Sequence, residues 1–332
     1  MQIGVISLGC SKNQVDTELM LGKLREAGYD FTAEPAEADI ILINTCGFIE
    51  SAKQESIDTI LEMAQYKKHG KLKALIVTGC LSGRYQGELA ENLPEVDAFL
   101  GVTAQDEIVQ TVEKVLQGQR VQQYHGAEIE GNYAERLLTT PGYYAYVKIA
   151  EGCNNRCSYC AIPYIRGNLK SRQMQDICKE VKALAERGVK EIILVAQDTS
   201  KYGLDLYHKP MLAPLLELLA PIEGIRCIRL LYCYPDGIDD ILLDTMCKYD
   251  NIAKYIDMPI QHVDDEILKR MHRRDTHQSI YAAVEKIRQR DADFILRTTV
   301  ITGFPGETEV QFEALKQGVK ELKFDRLGAF AY

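Results

Sequence analysis

Short apolar runs alternate with amphipathic segments along the first 117 residues. We predict buried strands at four runs rich in Ile, Val and Leu: Ile3–Leu8, Ile40–Asn44, Ala74–Thr78 and Ala98–Val102. We predict helices where apolar positions recur with helical spacing: Gln14–Ala27, Ile49–Tyr66, Arg84–Asn92 and Asp106–Leu116. This strand–helix order favours a parallel α/β sheet domain with covering helices over residues 1–117.

A second alternation begins at Tyr143 and predicts six more strands: Tyr143–Ala150, Glu191–Ala196, Ile225–Cys233, Lys254–Met258, Phe294–Ile301 and Arg326–Ala331. Helices are predicted between them: Met174–Arg187, Ala213–Leu219, Asp239–Lys248, Asp264–Met271, Gln278–Arg290 and Glu309–Leu322. A closed barrel of this kind has eight units, so six units predict an open partial (β/α)6 barrel over residues 142–332. Residues 118–141 are polar and aperiodic, and we interpret them as a linker between two domains.

Charge and hydropathy narrow the class of protein. A net charge of −9 argues against a nucleic-acid binder, because phosphate contacts need clustered Lys and Arg. The one basic run, 269–274, is interpreted as a solvated helix end, with an anionic partner as the alternative. No apolar run approaches the roughly 20 residues that span a membrane, and the start lacks a basic lead-in, so we expect a cytoplasmic protein without a membrane partner.

Three of the ten cysteines follow successive predicted strands of the first half. Cys10, Cys46 and Cys80 each stand just beyond a strand end, at the entrance to the next helix. The carboxyl ends of parallel strands share one edge, so the three thiols are expected to converge, and nearby helix N-termini favour thiolates. The alternative is three ordinary buried cysteines.

Three more cysteines, Cys153, Cys157 and Cys160, form a CxxxCxxC pattern after the first strand of the second half. Three thiolates on one loop can bind three irons of a 4Fe–4S cluster and leave the fourth iron open. Structural zinc needs four protein ligands, and no fourth Cys or His follows locally, but a zinc-containing binding module remains the alternative of another class. The other four cysteines are interpreted as small core residues.

With Tyr159 before its last cysteine, the CxxxCxxC pattern resembles that of the radical S-adenosylmethionine superfamily. The resemblance implies that S-adenosylmethionine chelates the open iron and is cleaved to a radical. It also places cofactor contacts near the barrel strand ends: Tyr159, Gln197, Asp198, Gln261, Arg297 and Gly303. The structural alternatives are a helix cap at Asp198, a plain turn at Gly303, a structural hydrogen-bonded pair of Gln261 with His262, and an acidic partner for Arg297. Arg166 and Arg172 are candidates to bind cofactor or substrate carboxylates. No catalytic residue is predicted beyond the cluster ligands.

The whole chain resembles the radical S-adenosylmethionine methylthiotransferases. The resemblance rests on the surroundings of the first three cysteines: Leu8-Gly9-Cys10, Asn44-Thr45-Cys46-Gly47 and Thr78-Gly79-Cys80. It implies that Cys10, Cys46 and Cys80 hold a second 4Fe–4S cluster that supplies or activates the inserted sulfur. It also implies two uses of S-adenosylmethionine, as methyl donor and as radical source, and an electron donor of flavodoxin or ferredoxin type.

Within these enzymes, the chain most resembles the subgroup that modifies the β-carbon of an aspartate in small-subunit ribosomal protein S twelve. The matching segments are Ser7-Leu8-Gly9-Cys10-Ser11-Lys12-Asn13, Ile162-Pro163, Gln197-Asp198-Thr199-Ser200 and Pro259-Ile260-Gln261-His262. The alternative is a tRNA-adenosine methylthiotransferase, but those relatives usually carry Gly-Cys-Gln-Met-Asn at the first motif. The family ends in a small β-rich TRAM domain, whereas this chain stops at Tyr332, so we expect a truncated form.

Overall fold

The structure, a computed structural model, describes residues 1–125 and 133–332. It contains two compact units, Met1–Thr139 with Ala161–Gly167 and Thr140–Cys160 with Asn168–Tyr332. The segment Ala161–Gly167, which directly follows the CxxxCxxC pattern, therefore belongs to the first unit. Part of the predicted linker, residues 126–132, lies outside the described residues.

The first unit contains one parallel sheet. Its strands are β1 Gln2–Ser7, β2 Asp30–Thr32, β3 Ile40–Thr45, β4 Ala74–Gly79, β5 Ala98–Leu100 and β6 Val121–Gln123. Their order is β2-β1-β3-β4-β5-β6, so β1, β3 and β4 are neighbours. Ser7 pairs with Asn44, and Asn44 pairs with Thr78, which places the carboxyl ends of these three strands at one level. The edge strands β2 and β6 were not predicted, because each has one apolar residue among polar ones and lies in no apolar run.

Helices cover both faces of this sheet. They are α1 Ser11–Glu26, α2 Glu50–Ala64, α3 Tyr66–His69, α4 Cys80–Asn92 and α5 Ile108–Leu116. Leu24 of α1 and Val112 of α5 pack in one apolar layer, and Ile60 of α2 and Leu89 of α4 pack in the other. Every residue of β3 and β4 is buried, which explains why these strands have continuous apolar runs instead of alternating ones.

The second unit contains six principal parallel strands with two short additional ones. The strands are β7 Tyr144–Lys148, β8 Ala150–Glu151, β9 Lys170–Ser171, β10 Glu191–Val195, β11 Cys227–Leu230, β12 Tyr255–Asp257, β13 Ile295–Thr302 and β14 Arg326–Ala331. The principal strands form two three-stranded sheets, β11-β10-β7 and β12-β13-β14. A single parallel bridge, Ile228 to Ile252, links the two sides of the break. The open partial (β/α)6 barrel predicted from the sequence is thus confirmed.

Helices follow the barrel strands in the predicted order. The remaining helices of the chain are α6 Ile162–Ile165, α7 Met174–Glu186, α8 Leu204–Tyr207, α9 Leu212–Leu219, α10 Asp240–Lys248, α11 Asp265–Arg270, α12 His277–Arg290 and α13 Glu309–Leu322. Side chains cap the N-termini of the last four: Asp239, Asp264, Thr276 and Thr308. Within the described residues, no helix combines the length and apolar character needed to cross a membrane.

Candidate functional site

The first candidate site is the dispersed triad, which consists of Cys10, Cys46 and Cys80. Cys46 and Cys80 come directly after β3 and β4, and Cys10 comes three residues after β1. Adjacent strands lie about 4.8 Å apart, so consecutive strand ends bring the three cysteines to one short stretch of the sheet edge. Cys80 is the first residue of α4, and Cys10 is the residue that precedes α1.

Glycines allow the three cysteine-bearing loops to approach one another. Gly9 has φ = +93°, and a Cβ there would lie 3.0 Å from the Cβ of Cys46. Gly79 has φ = +99°, and a Cβ there would lie 2.5 Å from the carbonyl oxygen of Thr45. Both positions therefore need glycine for conformation and for space. A Cβ at Gly47 would likewise meet the backbone of α4 at 2.7 Å.

A buried arginine lies beside the dispersed triad. Arg166 donates hydrogen bonds to Asp16 Oδ2 at 2.9 Å and to Asn13 Oδ1 at 2.6 Å. The side chains of Arg166 and Asp16 are 1% and 0% exposed. Asn13 Oδ1 also accepts a contact from the Cys80 thiol at 3.6 Å. The carboxylate that Arg166 binds thus belongs to the chain itself, which the sequence did not predict.

The three thiols differ in acidity. Burial raises the pKa of Cys46 and Cys80, and the charge of Arg166 opposes that rise in both. Burial also acts on Cys10, but the positive charges of Lys12 and Arg166 and the backbone N–H groups of Asn13 and Lys12 outweigh it. The pKa of Cys10 is therefore lowered, as expected for a cysteine at a helix N-terminus.

The second candidate site is the loop triad, which consists of Cys153, Cys157 and Cys160 in the loop after β8. Two turns shape this loop, at Gly152 with φ = +66° and at Arg156 with φ = +50°. The backbone N–H of Asn155 points at Cys153 Sγ over 3.5 Å. The first two cysteines therefore lie on a tight turn.

Several side chains fix the loop triad. Asn155 donates to Asp198 Oδ2 at 2.8 Å, and burial raises the pKa of this aspartate. Ser158 donates through its backbone to the carbonyl of Met271 at 3.1 Å and through its hydroxyl to that of Arg270 at 2.9 Å. The loop is thus tied to the end of β10 and to the end of α11.

A buried cation, Arg273, is linked to Cys157 through Tyr234. The hydroxyl of Tyr234 lies 3.3 Å from Cys157 Sγ, and the guanidinium of Arg273 stacks 4.3 Å from the ring of Tyr234. Arg273 also pairs with Asp275 at 2.5 Å. The prediction that the basic run 269–274 is simply solvated is therefore wrong for Arg273, because its side chain is fully buried among these partners. His272 and Arg274 on either side of it are exposed, so its burial was not predictable from the sequence.

Two of the predicted cofactor residues lie at the end of β10. Gln197 donates to Glu151 Oε1 at 2.9 Å, whereas its own Oε1 is buried and accepts no hydrogen bond within the described residues. A buried carbonyl oxygen of this kind is a ready acceptor for a ligand donor. Asp198 caps no helix through its side chain but accepts from Asn155 and, at 2.5 Å, from Ser200.

The other predicted cofactor residues have structural partners or open surroundings. Arg297 pairs with Asp257 at 2.6 Å, and the hydroxyl of Tyr159 lies 3.4 Å from Arg273 Nη1. Gln261 has φ = +67°, an unusual conformation for a residue with a side chain. Gly303, with φ = +74°, has no atom within 4 Å of where a Cβ would stand.

Of the two further arginines predicted to bind ligand carboxylates, Arg172 donates to Glu180 at 2.6 Å. Its partner, like that of Arg166, is thus a carboxylate of the protein. A cavity of about 210 Å³ lies beside Cys153 and is also lined by Asn155, Lys201 and Arg274. Its lining also includes the carboxylates of Asp198 and Asp205, so charges of both signs border the cavity.

Each triad supplies three thiols, and thiolates are the protein ligands that iron–sulfur clusters use. In the part of the chain that the structure describes, no three His, Cys, Asp or Glu side chains are placed to bind a single metal ion. A four-iron cluster needs a different spacing, because each thiolate binds its own iron.

Two family models match the chain. Residues 2–101 match the uncharacterized protein family UPF0004, and residues 147–317 match the radical SAM superfamily. Solved structures share the fold at low identity. A radical S-adenosylmethionine methyltransferase, TsrM from Kitasatospora setae, has a TM-score of 0.71 at 14% identity, over 99% of this chain and 72% of that chain. The cobalamin-dependent enzyme OxsB has a TM-score of 0.64 at 11% identity, over 96% and 51%.

Curated relatives are far more similar. Ribosomal protein uS12 methylthiotransferase RimO of Lachnoclostridium phytofermentans is 51% identical over 100% of this chain and 76% of its own length. The enzymes of the same name from Clostridioides difficile and Desulforamulus reducens are 51% and 52% identical, over 100% and 99% of this chain and 75% of their own lengths. Radical SAM enzymes use a 4Fe–4S cluster and S-adenosylmethionine, and the resemblance inferred from the cysteine motifs is confirmed. The chain belongs to the family of the radical SAM methylthiotransferase RimO.

Proposed function

We propose that the chain adds a methylthio group to the β-carbon of an aspartate in ribosomal protein uS12. The observation that carries this proposal is the presence of two cysteine triads in different units, one at the carboxyl ends of β1, β3 and β4 and the other in the loop after β8. The loop triad would hold the cluster of a radical enzyme, and the dispersed triad would hold a second 4Fe–4S cluster. The names of the curated relatives support uS12 as the substrate.

The loop triad would bind three irons and leave one for S-adenosylmethionine. Bound together, the cluster and S-adenosylmethionine supply a radical that removes hydrogen from an unactivated carbon. The chain's own part is to hold this site still: Asn155 on Asp198 and Ser158 on the end of α11 limit the movement of the loop. Such preorganisation keeps the reacting atoms in register.

Gln197 would orient the cofactor. Its buried Oε1 is an acceptor, and Glu151 holds the amide group through its NH2 end, so the oxygen points away from that partner. An ammonium group, such as that of a methionine moiety, would satisfy this oxygen. Gly303 would let a flat ring approach the backbone closely. Tyr159, Asp198, Gln261 and Arg297 complete the set proposed to surround the cofactor.

The dispersed triad separates this chain from a plain radical enzyme. The pKa of Cys10 is lowered, Cys46 is half-buried and Cys80 is buried, and the positive charges of Lys12 and Arg166 act on this triad. These cations would offset the negative charge of three thiolates, a charge that burial alone would make costly. The triad would thus present a cluster for sulfur insertion.

The electron donor is proposed to be an acidic protein of flavodoxin or ferredoxin type, and the enzyme is proposed to act in the cytoplasm, where ribosomes are assembled. Lys269, in the last turn of α11, and His272 and Arg274, just after that helix, are exposed, and the end of the helix holds Ser158. A basic rim beside the cluster loop is notable on a chain of net charge −9, and it would steer an acidic partner.

The direct test supplies the anaerobically reconstituted protein with S-adenosylmethionine, sulfide and reductant, together with either uS12 in ribosomal subunits or tRNA. We expect about eight irons per chain, no stoichiometric zinc, and gain of one methylthio group on a uS12 aspartate by peptide mass spectrometry. Modification of tRNA alone would replace the proposed substrate by the alternative. Stoichiometric zinc with no iron would remove the cluster assignment altogether.

A further inference from the structure

We propose that Arg166 is a positioning residue that raises the reduction potential of the cluster held by the dispersed triad. This inference rests on the proposed function, because it assumes that Cys10, Cys46 and Cys80 hold a cluster. It gives a role to a buried cation that the sequence analysis had assigned to ligand binding.

The geometry places Arg166 at the center of the triad's supporting contacts. Its guanidinium donates to Asp16 and to Asn13 of α1, and the same Asn13 Oδ1 accepts from the Cys80 thiol at 3.6 Å. Its positive charge acts on all three thiols. Asn13 donates to the carbonyl oxygens of Leu8 at 3.0 Å and Thr45 at 2.9 Å, so the same network ties together the loops that precede Cys10 and Cys46.

The charge argument gives the direction of the effect. Arginine stays protonated in proteins, so Arg166 is a fixed positive charge. One-electron reduction adds a negative charge to a cluster that already carries thiolates, and a nearby buried cation stabilises that reduced state. Hydrogen bonds to the ligand sulfurs act in the same direction. Asp16 offsets part of this effect, because its carboxylate shares the guanidinium.

A purely structural ion pair exists on the same helix and serves as a matched control. Arg136 pairs with Glu18 of α1 at 3.2 Å, and the two side chains are 0% and 1% exposed. The leading charges on the three thiols include Arg166 in each case and do not include Arg136. Loss of either arginine breaks a buried pair on α1, but only loss of Arg166 also changes the charge at the triad.

The experiment measures the cluster of the dispersed triad alone. In the 332-residue chain with C153A, C157A and C160A, reconstituted anaerobically, we measure iron content and the midpoint potential by redox titration followed by electron paramagnetic resonance. R166Q should lower the reduced-to-oxidised ratio at fixed potential at least tenfold, which corresponds to about 59 mV for one electron. R166K should lower it less, D16N should raise it, and R136Q should leave it unchanged.

The outcomes separate the two levels of the proposal. If the parent C153A/C157A/C160A protein binds no iron, the second cluster and the proposed function fail together. If it binds about four irons but R166Q, R166K and D16N all leave the potential unchanged, only the role of Arg166 is overturned. An equal shift in R136Q would also overturn that role. If the R166Q protein binds no cluster, the midpoint potentials of the R166K and D16N proteins still test the role of Arg166, because they are expected to shift in opposite directions.

Discussion

The loop triad and the dispersed triad reach similar donor sets by different routes. Cys153, Cys157 and Cys160 lie on one loop, which side chains such as Asn155 and Ser158 fix locally. Cys10, Cys46 and Cys80 come together only because β1, β3 and β4 are neighbours with level ends. A local site depends on a few contacts, whereas a dispersed site depends on the integrity of a whole sheet.

The largest expected effect comes from removing each triad in turn. C10A/C46A/C80A should leave about four of about eight irons and retain cleavage of S-adenosylmethionine, while methylthiolation is lost. C153A/C157A/C160A should also retain about four irons but lose both cleavage and methylthiolation. Iron analysis and chromatographic assay of cofactor cleavage measure the two effects. Loss of cleavage in the folded C10A/C46A/C80A protein would contradict this division of roles.

The next effect tests how strongly the dispersed triad depends on its sheet. G79A would place a Cβ 2.3 Å from Asn44 Oδ1 and force a side-chain residue into φ = +99°. We expect the free energy of unfolding to fall by about 3 kcal/mol and the iron of the dispersed triad to be lost. Urea unfolding followed by circular dichroism measures the stability.

The matched control for this change is G87A in α4, where a Cβ meets no atom within 4 Å. Its stability should change by less than about 1 kcal/mol, in the stabilising direction. Equal iron content in G79A and G87A proteins would show that the triad tolerates distortion of its strand ends.

A smaller effect is expected at the basic rim of the loop triad. K269E/H272E should raise the KM for an acidic flavodoxin about tenfold at low salt, because rim charges act on association. With dithionite as reductant, the rate of S-adenosylmethionine cleavage should not change. The control is K248E, because Lys248 ends α10, and that end of a barrel helix lies near the amino ends of the strands. An equal rise in KM for K248E would exclude a local docking surface.

The smallest effect concerns one hydroxyl. A thiolate can only accept a hydrogen bond, so Tyr234 would donate to Cys157 Sγ over their 3.3 Å separation. In the C10A/C46A/C80A protein, Y234F should lower the potential of the remaining cluster and slow S-adenosylmethionine cleavage a few-fold. Redox titration measures the shift, and Y143F, at an exposed tyrosine, is the control. Identical midpoint potentials in the Y234F and Y143F proteins would show that the Tyr234 hydroxyl does not affect the potential of this cluster.

The sequence predicted most of the fold because most strands lie within largely apolar segments of five or more residues. The exceptions are instructive: β2 and β6 are three-residue edge strands, and the break between β11 and β12 leaves no mark on periodicity. At the sites, spacing and strand ends were enough to single out the six cysteines. The partners of Arg166 and Arg273 were not predictable, because Asp16 is distant along the chain and Arg273 is surrounded by exposed charges.

The assignment of Ala161–Gly167 to the first unit has a consequence for synthesis of the protein. A nascent chain emerges in order, so the guanidinium of Arg166 arrives only after the entire loop triad has been translated. A fragment that ends at Thr139 would contain Cys10, Cys46 and Cys80 but would keep Asp16 buried without Arg166, a costly state for a carboxylate. The first unit is compact in space but is built from two separate stretches of sequence. It can therefore be completed only after the loop triad has been translated.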